Sequence, residues 1–245
     1  MLRADKRPGF DWLFYRYNKG YLISRHFRGF AAAGELAPAS AGQRPLLYIM
    51  NHSSWWDGLL AYHAARTLTR GDHYFMMEEA QLRRYRFFRK LGAFSVSPGD
   101  PASAAVSLRY TVRLLRGGGS VWMYPQGEIV PLEQRPIRLK PGAAGLLRLC
   151  PEAAVVPVTL YHGLFRHSKP EATLLAGPPL LDDWSGMERS EIGNRLAAAL
   201  TAQLEEHRER AIAGDGRLPP GCVPLVRGRK SVQEHFDGVF GRGRT

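Results

Sequence analysis

Apolar positions along the chain fall into short continuous runs, separated by longer stretches with helical spacing. Leu46 to Met50 is an apolar run of strand length, which predicts a buried strand. Asp57 to Thr69 then reads as a helix, and His73 to Met77 as the next strand. Leu108, Val112 and Leu115 recur at helical spacing after Asp100-Pro101, a favourable start because proline has no N–H to leave unpaired there. Gly117 to Gly119 end that helix. Val121 to Tyr124 and Val155 to Leu160 are further buried strands, with Ala143 to Leu149 helical between them. Pro157 is tolerable in a strand at an edge or a bulge. Ser185 and Glu188 have capping-box spacing and open a last long helix to about residue 212. Strands alternating with helices predict an α/β sheet with helices on its faces, in a single domain.

The two ends of the chain differ from this core. Residues 10 to 30 mix aromatic residues with Arg16, Lys19, Arg25 and Arg28, and Asp11 is their one acid. Such a mixture suits a helix lying in a lipid headgroup layer, and equally a helix packed on the domain with a basic outer face. Gly20 interrupts the pattern, which allows two short helices. Ala31 to Arg44, rich in Ala, Gly and Pro, reads as a connector. The expected organisation is an N-terminal interfacial helical segment (1–34), a main domain (35–213) and a basic tail (214–245).

Composition narrows the class. The chain has 245 residues, 44% hydrophobic and 23% charged, which is globular and not disordered. Thirty-four Lys and Arg against 22 Asp and Glu leave a net charge of +12. That excess predicts a polyanionic partner: nucleic acid, an anionic membrane surface or a phosphorylated substrate. Cys150 and Cys222 make neither a zinc motif nor a redox pair, so a reducing, cytoplasmic setting is expected. No run approaches the roughly 20 apolar residues of a spanning helix, and Met1 to Gly9 lead into no signal peptide. A peripheral position on the cytoplasmic face of a membrane is the expectation.

One constellation carries chemistry. Asn51-His52-Ser53-Ser54-Trp55-Trp56-Asp57 follows the first predicted strand, so its polar groups emerge at a sheet end, where α/β proteins place ligands. Histidine can take a proton from a hydroxyl near neutral pH, and a carboxylate on its other nitrogen fixes the tautomer. Five positions apart on one helix the two would diverge, at about 100° per residue. They meet only if His52 lies in a turn and Asp57 in the first helical turn. Many such pairs in proteins are structural, and no third residue stands at a metal-ligand spacing.

Asn51-His52 with Asp57 resembles the first motif of the glycerolphosphate and lysophospholipid acyltransferase superfamily. Leu91-Gly92-Ala93-Phe94-Ser95-Val96 occupies the place of the second motif. Tyr124-Pro125-Gln126-Gly127-Glu128 resembles the third, usually Phe-Pro-Glu-Gly-Thr-Arg, with Lys140 and Gly142 after it. Val155-Val156-Pro157-Val158 resembles the fourth. The resemblance covers about residues 46 to 160 in family order. It implies a mixed, largely parallel sheet flanked by helices. It also implies O-acyl transfer from acyl-CoA or acyl carrier protein to a hydroxyl of a lysophospholipid or of another lipid or glycolipid. His52 would be the general base and Asp57 its partner. Asn51, Ser53, Tyr124, Pro125, Gln126, Gly127, Glu128, Lys140 and Gly142 would form the substrate surface, with backbone N–H groups near the third motif at the oxyanion. Neither a covalent acyl-enzyme, a metal nor an organic cofactor is implied.

The departures bear on the acceptor. Relatives with phosphate-bearing acceptors carry an Arg after the second motif and another in the third, where this chain has Ser97-Pro98 and Ile129-Val130. Arginine–phosphate pairs are among the stronger polar contacts, so the acceptor is expected not to be lysophosphatidate. Another lipid or a glycolipid, such as a sugar hydroxyl on an isoprenoid or carotenoid glycoside, is the expectation. Lys140, Arg138 or the basic run from Arg83 to Lys90 could replace the missing arginines. The main alternative is a non-catalytic lipid-binding protein of the same fold. A nucleic-acid module is disfavoured because no recognition motif is present. A serine hydrolase is disfavoured because the chain has no Gly-x-Ser-x-Gly elbow.

Overall fold

The computed structural model describes residues 1–214 and 218–230, together with Val232, Glu234 and Phe236. Of the basic tail, residues 215–217, 231, 233, 235 and 237–245 lie outside the described residues.

Two predicted strands form the centre of the sheet. They are β2 (Leu46–Met50) and β6 (Ala154–Gly163), after the first strand, β1 (Gly29–Ala33). β3 (Asp72–Glu78), β4 (Ala93–Val96) and β5 (Gly119–Met123) lie on one side, and β7 (Glu171–Ala176) and β8 (Val223–Arg227) on the other. The eight strands run in the order β4-β3-β5-β2-β6-β7-β1-β8. The first five in that order are mutually parallel; β6 and β7 pair antiparallel, as do β1 and β8. The architecture is therefore the mixed, largely parallel α/β sheet that the resemblance implied.

Central strands are apolar on both sides because helices cover both faces. Tyr48, Met50, Trp122, Val156 and Val158 pack under α3 (Asp57–Leu68) and the N-terminal helical segment, through Leu60, Ala64, Ile23 and Phe27. Leu47, Ile49, Val121 and Val155 turn to the opposite layer. That layer contains α5 (Pro101–Arg116), α6 (Gly142–Leu149) and the first turns of α7 (Arg189–Gly214). The short α4 (Glu79–Arg84) leads out of β3.

Four features differ from the expectation. Gly20 does not split the N-terminal segment. α1 (Pro8–Tyr17) continues through a π-helical stretch, Asn18–Ile23, into α2 (Ser24–His26). Buried Asn18 ties this stretch to α3 by donating from Nδ2 to the Leu59 carbonyl, 3.0 Å away. The supposed connector contains β1, whose small residues hide strand character yet are buried. Its end needs Gly34, at φ +76°, because a Cβ there would lie 1.9 Å from the Ala176 carbonyl oxygen. The third difference is β8, a strand in the tail, and β7 also had no clear sequence signal. Finally, Pro157 sits in an interior strand. Its carbonyl accepts from Gly177 N–H on the β7 side, so its missing N–H falls where β7 has already ended.

Candidate functional site

The parallel strands β2 and β5 end side by side, and the site forms where their chains leave the sheet. Asn51, buried at the end of β2, bridges to β6. Its Nδ2 donates to the Leu160 carbonyl at 3.0 Å and its Oδ1 accepts the Leu160 N–H at 2.7 Å. This amide pair fixes where the chain turns, and His52 begins that turn.

Asp57, the first residue of α3, is fully buried. Its Oδ2 accepts from His52 Nδ1 at 2.8 Å, Ser53 N–H at 2.6 Å and Ser54 N–H at 2.9 Å. Oδ1 accepts from the Ser54 hydroxyl. The carboxylate thus organises the 53–56 turn and orients the imidazole together. An ionised carboxylate can only accept, so Nδ1 carries the proton and Nε2 presents its lone pair. The His52 side chain is 23% exposed, enough for a substrate atom to approach.

The third motif closes over this pair. Gln126, buried, accepts the His52 N–H on Oε1 at 2.7 Å, and Val130 N–H donates to the His52 carbonyl at 2.8 Å. The Tyr124 ring lies 4.4 Å from the imidazole, tilted by 30°. The Tyr124 hydroxyl is buried without a hydrogen-bond partner among the described residues. Burial, and then the Asp57 charge, raise its pKa well above the ordinary tyrosine value, so it remains protonated.

Gly127 has φ +72°, and a Cβ there would lie 2.6 Å from Lys140 Cδ. Its N–H donates to the Tyr124 carbonyl, and Lys140 N–H donates to the Pro125 carbonyl. These bonds fold the loop tightly over α6, which Gly142 opens. Glu128 and Lys140 are exposed and face each other at 3.5 Å. Of the predicted site residues, Ser53, Asp57, Tyr124 and Gln126 gather around His52, and Gly127 shapes the loop that carries Tyr124 and Gln126. Asn51 and Pro125 spend their polar groups on main-chain ties, and Glu128, Lys140 and Gly142 form the outer rim.

Three contributors escaped the sequence reading. Ser54 stands three residues before Asp57, and that short-range turn spacing was a usable signal. His162, on β6, places Nε2 3.5 Å from Ser53 Oγ, a juxtaposition across 109 positions that no local pattern reveals. Beside His52, a shallow cleft has an apolar wall of Val130, Leu132, Ile137 and Leu204, drawn from the loop and α7.

Near the second motif, Glu79 of α4 accepts from Ser95 Oγ at 3.0 Å and Ser97 Oγ at 3.2 Å, and pairs with Arg83 at 2.5 Å. Arg83 and these hydroxyls hold its carboxyl low, to about 2. Burial pushes the Cys150 thiol up to about 12, which makes it a poor nucleophile near neutrality. Among the described residues no cluster of three His, Cys, Asp or Glu is arranged to hold a metal ion. No helix among them is long and apolar enough to cross a membrane.

Residues 32–161 match the family model described as Acyltransferase. No curated protein matches the chain.

Proposed function

Because the chain belongs to the acyltransferase family, we propose that it transfers a fatty acyl group from acyl-CoA or acyl carrier protein to a hydroxyl of a membrane lipid or glycolipid. The observation that carries this reading is the 2.8 Å contact between His52 Nδ1 and buried Asp57, which leaves Nε2 open. Nε2 takes the proton of the acceptor hydroxyl as its oxygen attacks the thioester carbonyl, and the thiolate leaves with a proton returned from His52. Asp57 stabilises the transient imidazolium. The oxyanion is met by main-chain N–H groups of the third motif. Those of Gly127, Val130 and Lys140 are already bonded, and the donors are drawn from the N–H groups of Gln126, Glu128 and Ile129. The apolar cleft wall receives the start of the acyl chain.

The acceptor is a lipid whose reacting end carries no phosphate. At the two positions where a clamp is missing, the chain has Ser97, bonded to Glu79, and Ile129, beside Glu128. The nearby cations Arg83 and Lys140 are matched by these same carboxylates. Acceptor and protein meet at a membrane surface. The outer face of the helical segment within residues 1–34 exposes Trp12, Leu13, Tyr17 and Tyr21, with Arg16 over Trp12 and Arg25 over Tyr21. Asp11 is turned away toward Arg66. Trp55, also exposed, stacks edge-on against Trp56, which touches His26 at the end of that segment. The aromatic-cationic face therefore ends beside the His52 turn, with residues 35–213 behind it as the acyl-transfer domain, whose sheet is completed by β1 and β8.

The test incubates the purified protein with palmitoyl-CoA or palmitoyl carrier protein and a total lipid extract, with His52→Ala in parallel. A new acyl lipid absent from the variant is the expected result. No product with either donor, or equal product from His52→Ala, overturns the catalytic reading. Preferential acylation of lysophosphatidate overturns the acceptor assignment alone.

A further inference from the structure

A cavity of about 300 Å³ lies well away from His52. It opens between the N-terminal strap at residues 6–8, the last turns of α3, the entry to β3, and Lys90-Leu91. Main-chain bonds hold the strap in place: Asp5 N–H to the Arg89 carbonyl at 2.9 Å and Arg7 N–H to the Lys90 carbonyl at 3.0 Å. Arg66, on the cavity wall, lies nine residues along α3 from Asp57, which places it about 14 Å further along the helix axis. The cavity is therefore not part of the acyl-transfer centre.

Its lining is strongly cationic. Lys6, Arg7, Arg66, Arg70 and Lys90 face it, against two carboxylates, Asp11 and Asp72. Both carboxylates are already engaged. Asp72 pairs with Lys6 and accepts from Tyr74 Oη at 2.7 Å. Asp11 accepts from Arg66 at 2.8 Å and from Tyr62 Oη at 2.8 Å. No carboxylate among the described residues pairs with Arg70 or Lys90; Lys90 lies over the Phe10 ring, 5.1 Å from its centroid. The carboxyl end of α3 also faces this region and opposes an anion with roughly half a charge, much less than the excess of cations. Tyr62, Phe75 and Leu91 supply an apolar floor.

We propose that this cavity binds the phosphate end of a nucleotide-sized ligand, with Arg70 and Lys90 on the phosphate and Phe75 and Leu91 against the organic part. The volume is at the small end of ligand pockets and suits one ring system with its phosphates. Two ligands share this chemistry: a free nucleoside diphosphate, and the nucleotide end of a coenzyme A thioester whose acyl end lies elsewhere. The proposal does not depend on the role given to His52.

The test is calorimetric titration of the full chain with ADP and with coenzyme A at low ionic strength. Arg70→Glu/Lys90→Glu and the milder Arg70→Gln/Lys90→Gln are titrated alongside. All four substitutions are at exposed positions, so circular dichroism should show an unchanged fold. Arg109→Glu/Arg113→Glu, on exposed positions of α5 in the opposite layer, controls for general loss of positive charge. The expected result is binding of at least one probe. It should weaken about tenfold or more in the Glu pair, by less in the Gln pair, and within about twofold in the α5 control. Tighter binding of coenzyme A than of ADP assigns the site to the donor, and equal binding assigns it to a free nucleotide. No binding of either probe, or equal losses in the cavity variants and the α5 control, overturns the proposal.

Discussion

Asp57→Asn separates the two jobs of the buried carboxylate. An asparagine can place its Oδ1 where Asp57 Oδ2 now sits, within reach of His52 Nδ1 and the Ser53 and Ser54 N–H groups at 2.6–2.9 Å. Its amide NH₂ then faces the Ser54 hydroxyl, which can rotate to accept. The turn is retained with weaker, uncharged acceptors, and stability should fall by about 1–3 kcal/mol. The lost charge acts on the transition state. With charge centres about 4 Å apart and an effective dielectric near 20, the carboxylate favours the imidazolium by about 4 kcal/mol, close to a factor of 10³ in rate. The assay is thiol release from palmitoyl-CoA or palmitoyl carrier protein under saturating acceptor, followed with thermal unfolding of the same samples. The expected pattern is a kcat loss of about 10³ with KM little changed and a melting temperature lowered by only several degrees. A folded Asp57→Asn protein within about tenfold of wild-type kcat would show that Asp57 only shapes the turn, and the His52–Asp57 mechanism would fail.

Stability should decline on mild acidification because of buried histidines. His207 bridges Thr159 Oγ1 at 2.9 Å and Thr173 Oγ1 at 2.8 Å, and burial, then Arg210, depress it from 6.5 to about 4. It stays neutral in the folded chain while the unfolded chain binds a proton. Its contribution is therefore complete above about pH 6.5 and falls between 6.5 and 4, by about 1.4 kcal/mol per pH unit. Urea unfolding at pH 7, 5.5 and 4.5 should show this slope, reduced in His207→Gln; an unchanged slope in that variant contradicts the assignment. Gly127→Ala should impair both folding and transfer, since φ is +72°, a left-handed conformation that strains any residue with a Cβ, while the flexible Lys140 side chain beside it can move aside. Urea midpoint and kcat together test it, and a neutral result would mean the loop readily adjusts. Trp12→Ser/Tyr17→Ser should weaken sedimentation with anionic lipid vesicles severalfold while transfer to a detergent-dispersed acceptor persists. Equal sedimentation would remove the membrane face proposed for α1.

The core strands were legible because each is an uninterrupted apolar run between turn residues, and helices on both faces require that pattern. LLYIM in β2 and the run around Val155 in β6 could hardly lie elsewhere. The helices α3 and α5 announced themselves by spacing and start signals; α7 is present, but it opens at Arg189 rather than at the expected Ser185–Glu188 capping box, because the Ser185 hydroxyl donates to Asp183 instead. The outer strands did not announce themselves. β1 is Gly-Phe-Ala-Ala-Ala, chosen for close packing between β7 and β8, and its strand character exists only once those neighbours are present. Pro157 shows the same limit: whether its missing N–H matters depends on where β7 stops, which is set by a segment distant in sequence.

The candidate site divides similarly. Sequence alone determined the His52 and Asp57 pair and the requirement that one lie in a turn and the other at a helix start, because five residues and helical geometry leave no other way to meet. Sequence also showed the departures that bear on the acceptor. Tertiary structure alone decided that Asn51 is spent on anchoring β6 and that Gln126 holds the His52 main chain rather than facing outward. It alone brought His162 beside Ser53 and gathered Arg70 and Lys90 at the mouth of a second cavity. Those arrangements join positions tens to more than a hundred residues apart. Local pattern carries information about a residue's neighbours in the chain; only packing determines which distant polar groups must satisfy one another.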